Sequence, residues 1–471
     1  MVKIILLFFF IFPLKLYECK KYYNYTLFRG IPANKHQLSF LQNISETYDA
    51  NFWRYPGLVH MPVEFTVGPD KRQRLYAEAE KRGIHLETVI PDVQRAFDKQ
   101  TIKTYTRRYI ESFNWHGFYG LDDIYSWLID LQKAYPNEIK IEKMGRSWEN
   151  RWILAVVVVL TGCKSRSTVI IEGGIHAREW ISPAFVTYML HEILMAPKSN
   201  NAYLKEIALT YKWVFMPLVN PDGYEYTHTG VSRNLCLLLS FDCCPLTSTE
   251  KDRNWRKNRR TPNGVDLNRN FDIAFGTVGI STRESSEVYC GAAAFSEKES
   301  IAMSKLIRSY GDDLEYYISF HSYGQYMIIP YSNLDIPMHN YKEMEAISRK
   351  AVQVISRRYG TKYSVGTAFQ TVGYRTSGVS SDWVKLNFGV PYVVTFELRD
   401  LGRSGFALPP EYIIPTCTET MDGVLSILEP KSVKHMKIDI DRKTFNKDQK
   451  ARYDKIVLSC NLLLFIIVRF Y

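Results

Sequence analysis

Cysteine is scarce, with eight residues in a chain of 471. That density excludes a small scaffold held together by disulfides in place of a core. Hydrophobic runs long enough to cross a bilayer are missing as well. The two longest, Ile4 to Phe12 and Ile456 to Val468, reach nine and thirteen residues, and Ser459 and Asn461 interrupt the second. A polytopic membrane protein is thereby excluded. No internal repeat or low-complexity block occurs, and a hydrophobic fraction of 46% argues against global disorder. Basic residues outnumber acidic ones only modestly, 60 to 49, and they are scattered, so no nucleic-acid partner is expected. Aromatic surface is what the chain has in quantity: 32 Tyr and 25 Phe can fill large cores. Length alone suggests about three domains.

The ends carry separate signals. Met1-Val2-Lys3 followed by the apolar run to Phe12 matches a secretory signal peptide over residues 1–19. No A-x-A-like trio surrounds Tyr17-Glu18-Cys19. The sequons Asn24-Tyr-Thr26 and Asn43-Ile-Ser45 fit the same route, so a secreted, extracellular protein is expected. At the other end, residues 433–471 hold nine Lys/Arg and four Asp/Glu, a net of +5 out of the chain's +11. Their apolar stretch is too short for a membrane helix and no lipid-anchor pattern precedes it, so membrane association is not expected.

Between the ends, Val63 to Val67 alternates as a strand, Gly68-Pro69 turns, and Asp70 is placed to cap a charged helix from Lys71 to Lys81. Ile84 to Ile90 resumes as a strand and Pro91-Asp92 opens another helix, which suggests a small α+β unit. Basic residues from Lys99 to Arg108 read as a linker. Beyond it, apolar strand runs at Ile153–Leu160, Thr168–Ile171, Tyr211–Met216, Tyr316–Phe320 and Val390–Phe396 alternate with helical patterns. Leu121–Ala134, Ser182–Leu194 and Ser296–Tyr310 are the clearest of those helices, and the alternation indicates an α/β fold.

Chemistry concentrates where the apolar runs stop. Ile170-Ile171 leads into Glu172-Gly-Gly-Ile-His176-Ala-Arg178-Glu179-Trp180, the one His-x-x-Glu in the chain. A ring nitrogen and a carboxylate within one turn are zinc ligands by type, and a catalytic zinc takes three protein ligands with a position left open. Alone, the spacing fits a capped turn as readily. His321 follows the strand run Tyr317-Ile-Ser-Phe320, and two strand ends of one sheet can converge at its ligand-binding edge. Glu397, within Thr395-Phe-Glu-Leu-Arg-Asp400, ends another strand and can serve as general base, or can simply pair with Arg399. The basic runs Trp255-Arg-Lys257 and Asp266-Leu-Asn-Arg-Asn270 can hold a carboxylate or steady an oxyanion.

Around these residues the chain resembles the zinc metallocarboxypeptidases of the carboxypeptidase A/B subfamily, made as secreted proenzymes. The likeness rests on Gly174-Ile-His-Ala-Arg-Glu-Trp-Ile-Ser-Pro183, Leu218-Val-Asn-Pro-Asp-Gly-Tyr-Glu-Tyr226 and Asn254-Trp-Arg-Lys257. It continues through Gly264-Val-Asp-Leu-Asn-Arg-Asn270, Phe320-His-Ser-Tyr323, Thr395 to Asp400 and Gly402-Arg-Ser-Gly-Phe406, and spans about residues 24–430. It implies an α/β catalytic domain at 105–432 built on a mixed eight-stranded sheet flanked by helices. A small α+β antiparallel open-sandwich pro-domain at 20–104 would cover the cleft until a trypsin-like protease cuts near Lys99 to Arg108.

The resemblance also implies roles. His176, Glu179 and His321 would hold one Zn2+ per catalytic domain, with Asp266 behind His176. Glu397 would be the general base, and Arg256 would polarise the scissile carbonyl. Asn268, Arg269 and Tyr374 would grip a terminal carboxylate, with Arg178 and Tyr323 as outer substrate contacts. Substrates would be peptide and protein C-termini, and the enzyme a monomer. Ser381 stands where basic-specific members carry an acid; Ile328, Ser332, Phe369 and Gly373, then Thr376, Val379 and Thr395, would line the rest of the pocket. None is acidic, so neutral, apolar or aromatic C-terminal residues are expected, because a Lys or Arg would enter without a partner charge. The alternatives are a basic preference, or an impaired relative that only binds peptides.

Three departures from the family pattern stand out. Residues 230–250, including Cys236, Cys243 and Cys244, interrupt a segment that is continuous in the family. They read either as a substrate-gating insertion or, the preferred reading, as a retained intron, since twenty-one codons keep the frame and Val231-Ser232 can be encoded as a splice donor. Gly173 and Val186 occupy positions of a frequent family disulfide, and Cys290 lacks its usual partner. The 433–471 tail has no family counterpart.

Overall fold

The computed structural model describes residues 20–428, apart from 101, 108, 164–166, 229–250 and 335–337. The expected leader at 1–19, the insertion at 230–250 and the tail at 433–471 lie outside the described residues.

The N-terminal unit comprises β1 (Thr26–Gly30), α1 (Lys35–Tyr48), β2 (Asn51–Arg54), β3 (Val63–Val67), α2 (Pro69–Lys81), β4 (Leu86–Ile90) and α3 (Val93–Asp98). Its four strands form an antiparallel sheet in the order β2-β3-β1-β4. The Asn34 and Asp92 side chains cap α1 and α3 by accepting from the amides of Gln37 and Arg95. Helix α2 starts at Pro69, where the missing N–H costs nothing, so Asp70 sits inside the first turn and not at the cap the sequence suggests. Phe28, Leu41, Ile44, Phe65 and Leu75 are buried in this unit's own core.

The connecting segment is laid onto the larger unit by β5 (Ile102–Lys103), which pairs in parallel with β6 (Phe118–Tyr119). Then come α4 (Leu121–Ala134), β7 (Ile139–Arg146), β8 (Trp152–Val158), β9 (Thr168–Gly173), α5 (Ile181–Met195) and α6 (Ala202–Thr210). They are followed by β10 (Lys212–Met216), α7 (Pro221–Thr227), α8 (Lys298–Tyr310), β11 (Leu314–Ser322) and β12 (Tyr326–Ile328). The last elements are α9 (Tyr341–Tyr359), β13 (Ser364–Gly366), α10 (Ala368–Thr371), α11 (Ser380–Phe388), β14 (Tyr392–Leu398) and α12 (Ile413–Ile427).

Eight strands make one mixed sheet, ordered β13-β12-β14-β11-β9-β10-β8-β7. The centre, from β14 through β11 and β9 to β10, is parallel. Helices α5 and α11 pack against it, α5 on β9 and β11 and α11 on β11 and β14. The sequence explains the arrangement: Thr168-Val-Ile-Ile171 is a β-branched run buried at every position, as a strand covered on both faces requires. A Cβ added at Gly173 would lie 2.8 Å from Val186 Cγ2, so the positions of the family's frequent disulfide are adjacent here and filled by a Gly–Val contact. The described cysteines, Cys163, Cys290 and Cys417, are unpaired.

Candidate active site

Three parallel strands deliver chemistry to one edge. His321 lies in β11 directly opposite Glu397 of β14, so both side chains face the same way. His176 follows β9 after Gly173 and Gly174. Gly174 has φ +66° and its absent Cβ would lie 2.9 Å from Pro217 O, so the sharp exit from β9 requires glycine. Glu179 sits one turn beyond His176, ahead of α5.

The ring nitrogens converge. His176 Nδ1 is 2.8 Å from Glu179 Oε1, and His321 Nδ1 is 3.0 Å from Glu179 Oε2. The two Nδ1 atoms are 3.1 Å apart, and all three residues are buried. On its far side, His176 Nε2 meets Asp266 Oδ1 at 3.1 Å; that carboxylate only accepts, so Nε2 carries the proton and Nδ1 presents its lone pair to the cluster. Two ring nitrogens and one carboxylate oxygen, gathered around a common point and backed by a second carboxylate, fit a zinc ion. Burial, and then the Arg256 guanidinium, hold His176 below the usual imidazole range, as a ligand requires.

Asp266 organises more than His176. Its Oδ1 accepts from the Asn268 amide at 3.0 Å, and its Oδ2 accepts from Arg256 Nε and Nη2 at 3.1 and 3.0 Å. Burial works against its charge, but Arg256, Arg269 and His176 together outweigh burial and keep Asp266 well below the usual carboxylate range. Burial pushes Glu397 up to about 8, with His321 and Arg256 pulling the other way.

Arg269 is 4% exposed. Its Nε donates to Gly279 O at 3.0 Å and its Nη1 to Asn268 O at 2.9 Å, and no carboxylate pairs with it among the described residues. Gly378 admits this packing, since a Cβ there would lie 2.1 Å from Arg269 O. Asn268 is fixed in turn by accepting from the Ser380 amide at 2.9 Å, and its Nδ2 lies 3.4 Å from His321 Nε2.

One cavity joins these groups. His176, Glu179, Arg256, Asn268, Arg269 and His321 line it together with Tyr323, Tyr374 and Glu397. Its far wall comprises Ile328, Ser332, Val372, Thr376, Val379 and Thr395. Ser381, Phe369 and Gly373, which the resemblance implies for the pocket, do not line it; Ser381 is 3% exposed, on the first turn of α11. Arg178 also stands outside, fully buried, and Asp266 acts from behind.

The N-terminal unit closes the cavity, a role no local pattern in the sequence announces. Trp53, Arg54 and Tyr55 line it from β2 and the residue after. Arg178 donates to Asn51 Oδ1 and Phe52 O, each at 3.0 Å. Tyr323 donates its hydroxyl to Glu64 Oε2 at 2.6 Å, and Tyr55 stands edge-on to Tyr374 with ring centroids 6.4 Å apart.

Comparison with known proteins agrees with this geometry. The zinc carboxypeptidase family matches residues 124–423, and the carboxypeptidase activation peptide matches residues 28–100. Zinc carboxypeptidase A 1 of Anopheles gambiae is 32% identical over 424 residues, covering 88% of this chain and 92% of that protein. Carboxypeptidase A6 of Mus musculus is 32% identical over 86% of this chain and 90% of its own length. The crystal structure of thrombin activatable fibrinolysis inhibitor superposes with a TM-score of 0.75 at 28% identity, covering 86% of this chain and 98% of that one. No helix among the described residues is long and apolar enough to cross a membrane. The larger unit and the covering unit thus coincide with the two matched families, and the chain belongs to the zinc carboxypeptidase family, as a metallocarboxypeptidase carrying its activation peptide.

Proposed function

We propose that the mature enzyme removes the C-terminal residue of peptides and proteins, and that it prefers neutral, apolar or aromatic residues there. The observation that carries the exopeptidase reading is Arg269: a buried guanidinium in the cavity of the ligand cluster, with carbonyl partners only. A free carboxylate satisfies it bidentately, whereas an internal peptide bond leaves it unpaired at high cost.

In this reading Arg269, Asn268 and Tyr374 hold the terminal carboxylate and thereby set which bond reaches Glu397. His176, Glu179 and His321 would hold one Zn2+, which when bound would supply Lewis-acid chemistry to the carbonyl and to water. Glu397 accepts the proton of the attacking water at its carboxylate and returns it to the leaving amine nitrogen. Arg256, aligned by Asp266, stabilises charge developing on the carbonyl oxygen. Support for the neutral preference comes from the far wall, which presents no acid to the cavity: the Asp382 carboxylate accepts from the Ser332 amide at 2.6 Å and from the Ser332 hydroxyl at 3.2 Å. Secretion as a monomeric zymogen, cut by a trypsin-like protease between domains at 20–104 and 105–432, completes the proposal.

The test is trypsin activation followed by C-terminal ladder analysis of a peptide with and without a chelator, then kcat/KM for substrates ending in Phe, Leu and Lys. A chelator-sensitive ladder with Phe or Leu ahead of Lys is expected. No ladder from folded, zinc-loaded enzyme would overturn the exopeptidase reading, and a clear Lys preference would overturn the neutral one.

A further inference from the structure

The far wall of the cavity is not uniformly apolar, and its hydroxyls are not equally committed. Ser332 donates its hydroxyl to Asp382 Oδ1 at 3.2 Å and is thereby used. Thr376 lies on the same wall, 6% exposed, and its Oγ1 finds no hydrogen-bond partner. Its position is held from the backbone, because the Thr376 amide donates to Ser332 O at 3.0 Å. A buried hydroxyl left without a partner is costly, so one that persists beside a ligand cavity marks a place where a ligand supplies the missing bond.

We propose that Thr376 is a specificity-determining residue, which makes the enzyme favour C-terminal tyrosine over phenylalanine. The inference deepens the neutral-pocket reading above and rests on it. The remaining wall residues Ile328, Ala368, Val372 and Val379 offer apolar surface for the body of a ring. A phenol joins such a body to a polar tip, and its hydroxyl can both donate to and accept from Thr376 Oγ1. A site built to bond a hydroxyl discriminates against the ligand that lacks it more sharply than an apolar pocket discriminates against an added one. Thr395, on the strand opposite Ile328 and two residues before Glu397, places a second hydroxyl-bearing side chain on this wall.

The experiment uses the activated, zinc-loaded enzyme and blocked dipeptides that differ only in the last residue. With wild type, kcat/KM for the Tyr substrate is expected to exceed that for Phe by about three- to tenfold, the size of one net hydrogen bond. Thr376→Val keeps the side-chain shape and removes the hydroxyl; it should bring the Tyr/Phe ratio of kcat/KM to about one, with the ratio as the readout and not either rate alone. Thr376→Ser restores the hydroxyl and should restore the ratio. A wild-type ratio near one, or a ratio that survives Thr376→Val, would overturn the assignment. A Lys substrate run alongside keeps the two readings apart: if Lys is fastest the neutral pocket fails, while the response of the Tyr/Phe ratio to Thr376→Val still judges Thr376.

Discussion

A guanidinium buried beside a cavity with only carbonyl partners keeps donors in reserve for a ligand. Arg269 is in that position, and nothing else in the cleft selects a free C-terminus as directly. Replacing Arg269 with Ala should lower kcat/KM for a peptide acid by about 10²- to 10³-fold, the cost of unpairing a desolvated charge. The same peptide as a C-terminal amide should be a poor substrate for both enzymes, so the acid-over-amide preference collapses in the variant; comparing the two substrates checks this, and an unchanged preference would move the carboxylate grip elsewhere. Glu299 poses a different problem at the same scale. Burial pushes its carboxyl from an ordinary 4.5 up to about 7, one oxygen accepts from Asn258 Nδ2 at 3.1 Å, and the other has no partner. The folded state therefore holds this proton more tightly than the unfolded chain, so stability falls as pH rises from about 4.5 to 7 and stays lowered above that. Glu299→Gln should gain about 2 kcal/mol at pH 8 and little at pH 4.5, read from denaturant unfolding at the two pH values.

Elements differ in how far the sequence announces them, for physical reasons. Strands β9, β11 and β14 are legible because they are buried on both faces: Thr168-Val-Ile-Ile171 and Tyr392-Val-Val-Thr-Phe396 have no polar face to blur them, and each run leads into a candidate ligand or base. His176, Glu179, His321 and Glu397 were visible for the same reason. By contrast β12 and β13 are three residues long and owe their conformation to strands they pair with far along the chain, and the four-residue β2 is an edge strand held by β3 alone. The closing of the cleft by Trp53, Arg54 and Tyr55 depends on contacts between units, which leave no period in either segment. The carboxylate grip came from family likeness, since one buried Arg looks like any other in a sequence. The insertion can be judged from its flanks: the Asp252 amide donates to Tyr226 O at 3.0 Å and Lys251 Nζ to Glu225 Oε1 at 2.8 Å, so both ends are anchored together. Deleting residues 230–250 should leave the unfolding midpoint unchanged and kcat/KM within about twofold, since the two flanks already stand side by side and the closure cost depends weakly on the length of the connection. Loss of folding or turnover would show that the segment belongs to the enzyme, as would transcripts that uniformly encode it.

At the scale of the whole molecule, the two units are held by polar and aromatic contacts as well as by the chain between them. Tyr22 donates its hydroxyl to Asp252 at 2.7 Å, Arg178 donates to Asn51 and Phe52, and Tyr323 donates to Glu64. Trp53 packs on Phe406 with ring centroids 5.1 Å apart. Glu64 is central to this seam: fully buried in β3, it also accepts from Arg29 Nε at 2.8 Å, and Arg54 Nε stands 3.6 Å away. Cutting the connection does not by itself dissolve such a seam. Among the described residues of the connection, Lys99 and Arg107 are exposed and outside any strand, whereas Lys103, also exposed, is paired in β5. Gln100 stays with the larger unit, donating to Phe406 O and Leu408 O at 3.1 Å each and accepting from Arg253 at 2.9 Å. Trypsin should therefore produce a new N-terminus within 100–108, with activity lagging behind the cut while the N-terminal unit dissociates. Removing the charge with Glu64→Gln weakens the bond to Tyr323 and leaves Arg29 and Arg54 without a buried counter-charge, so the lag should shorten several-fold and the uncut chain should gain measurable turnover. Sampling one time course both on a gel and for peptide hydrolysis tests this directly: activity rising in step with cleavage in wild type and variant alike would mean that the covalent link, and not the seam around Glu64, keeps the cleft closed.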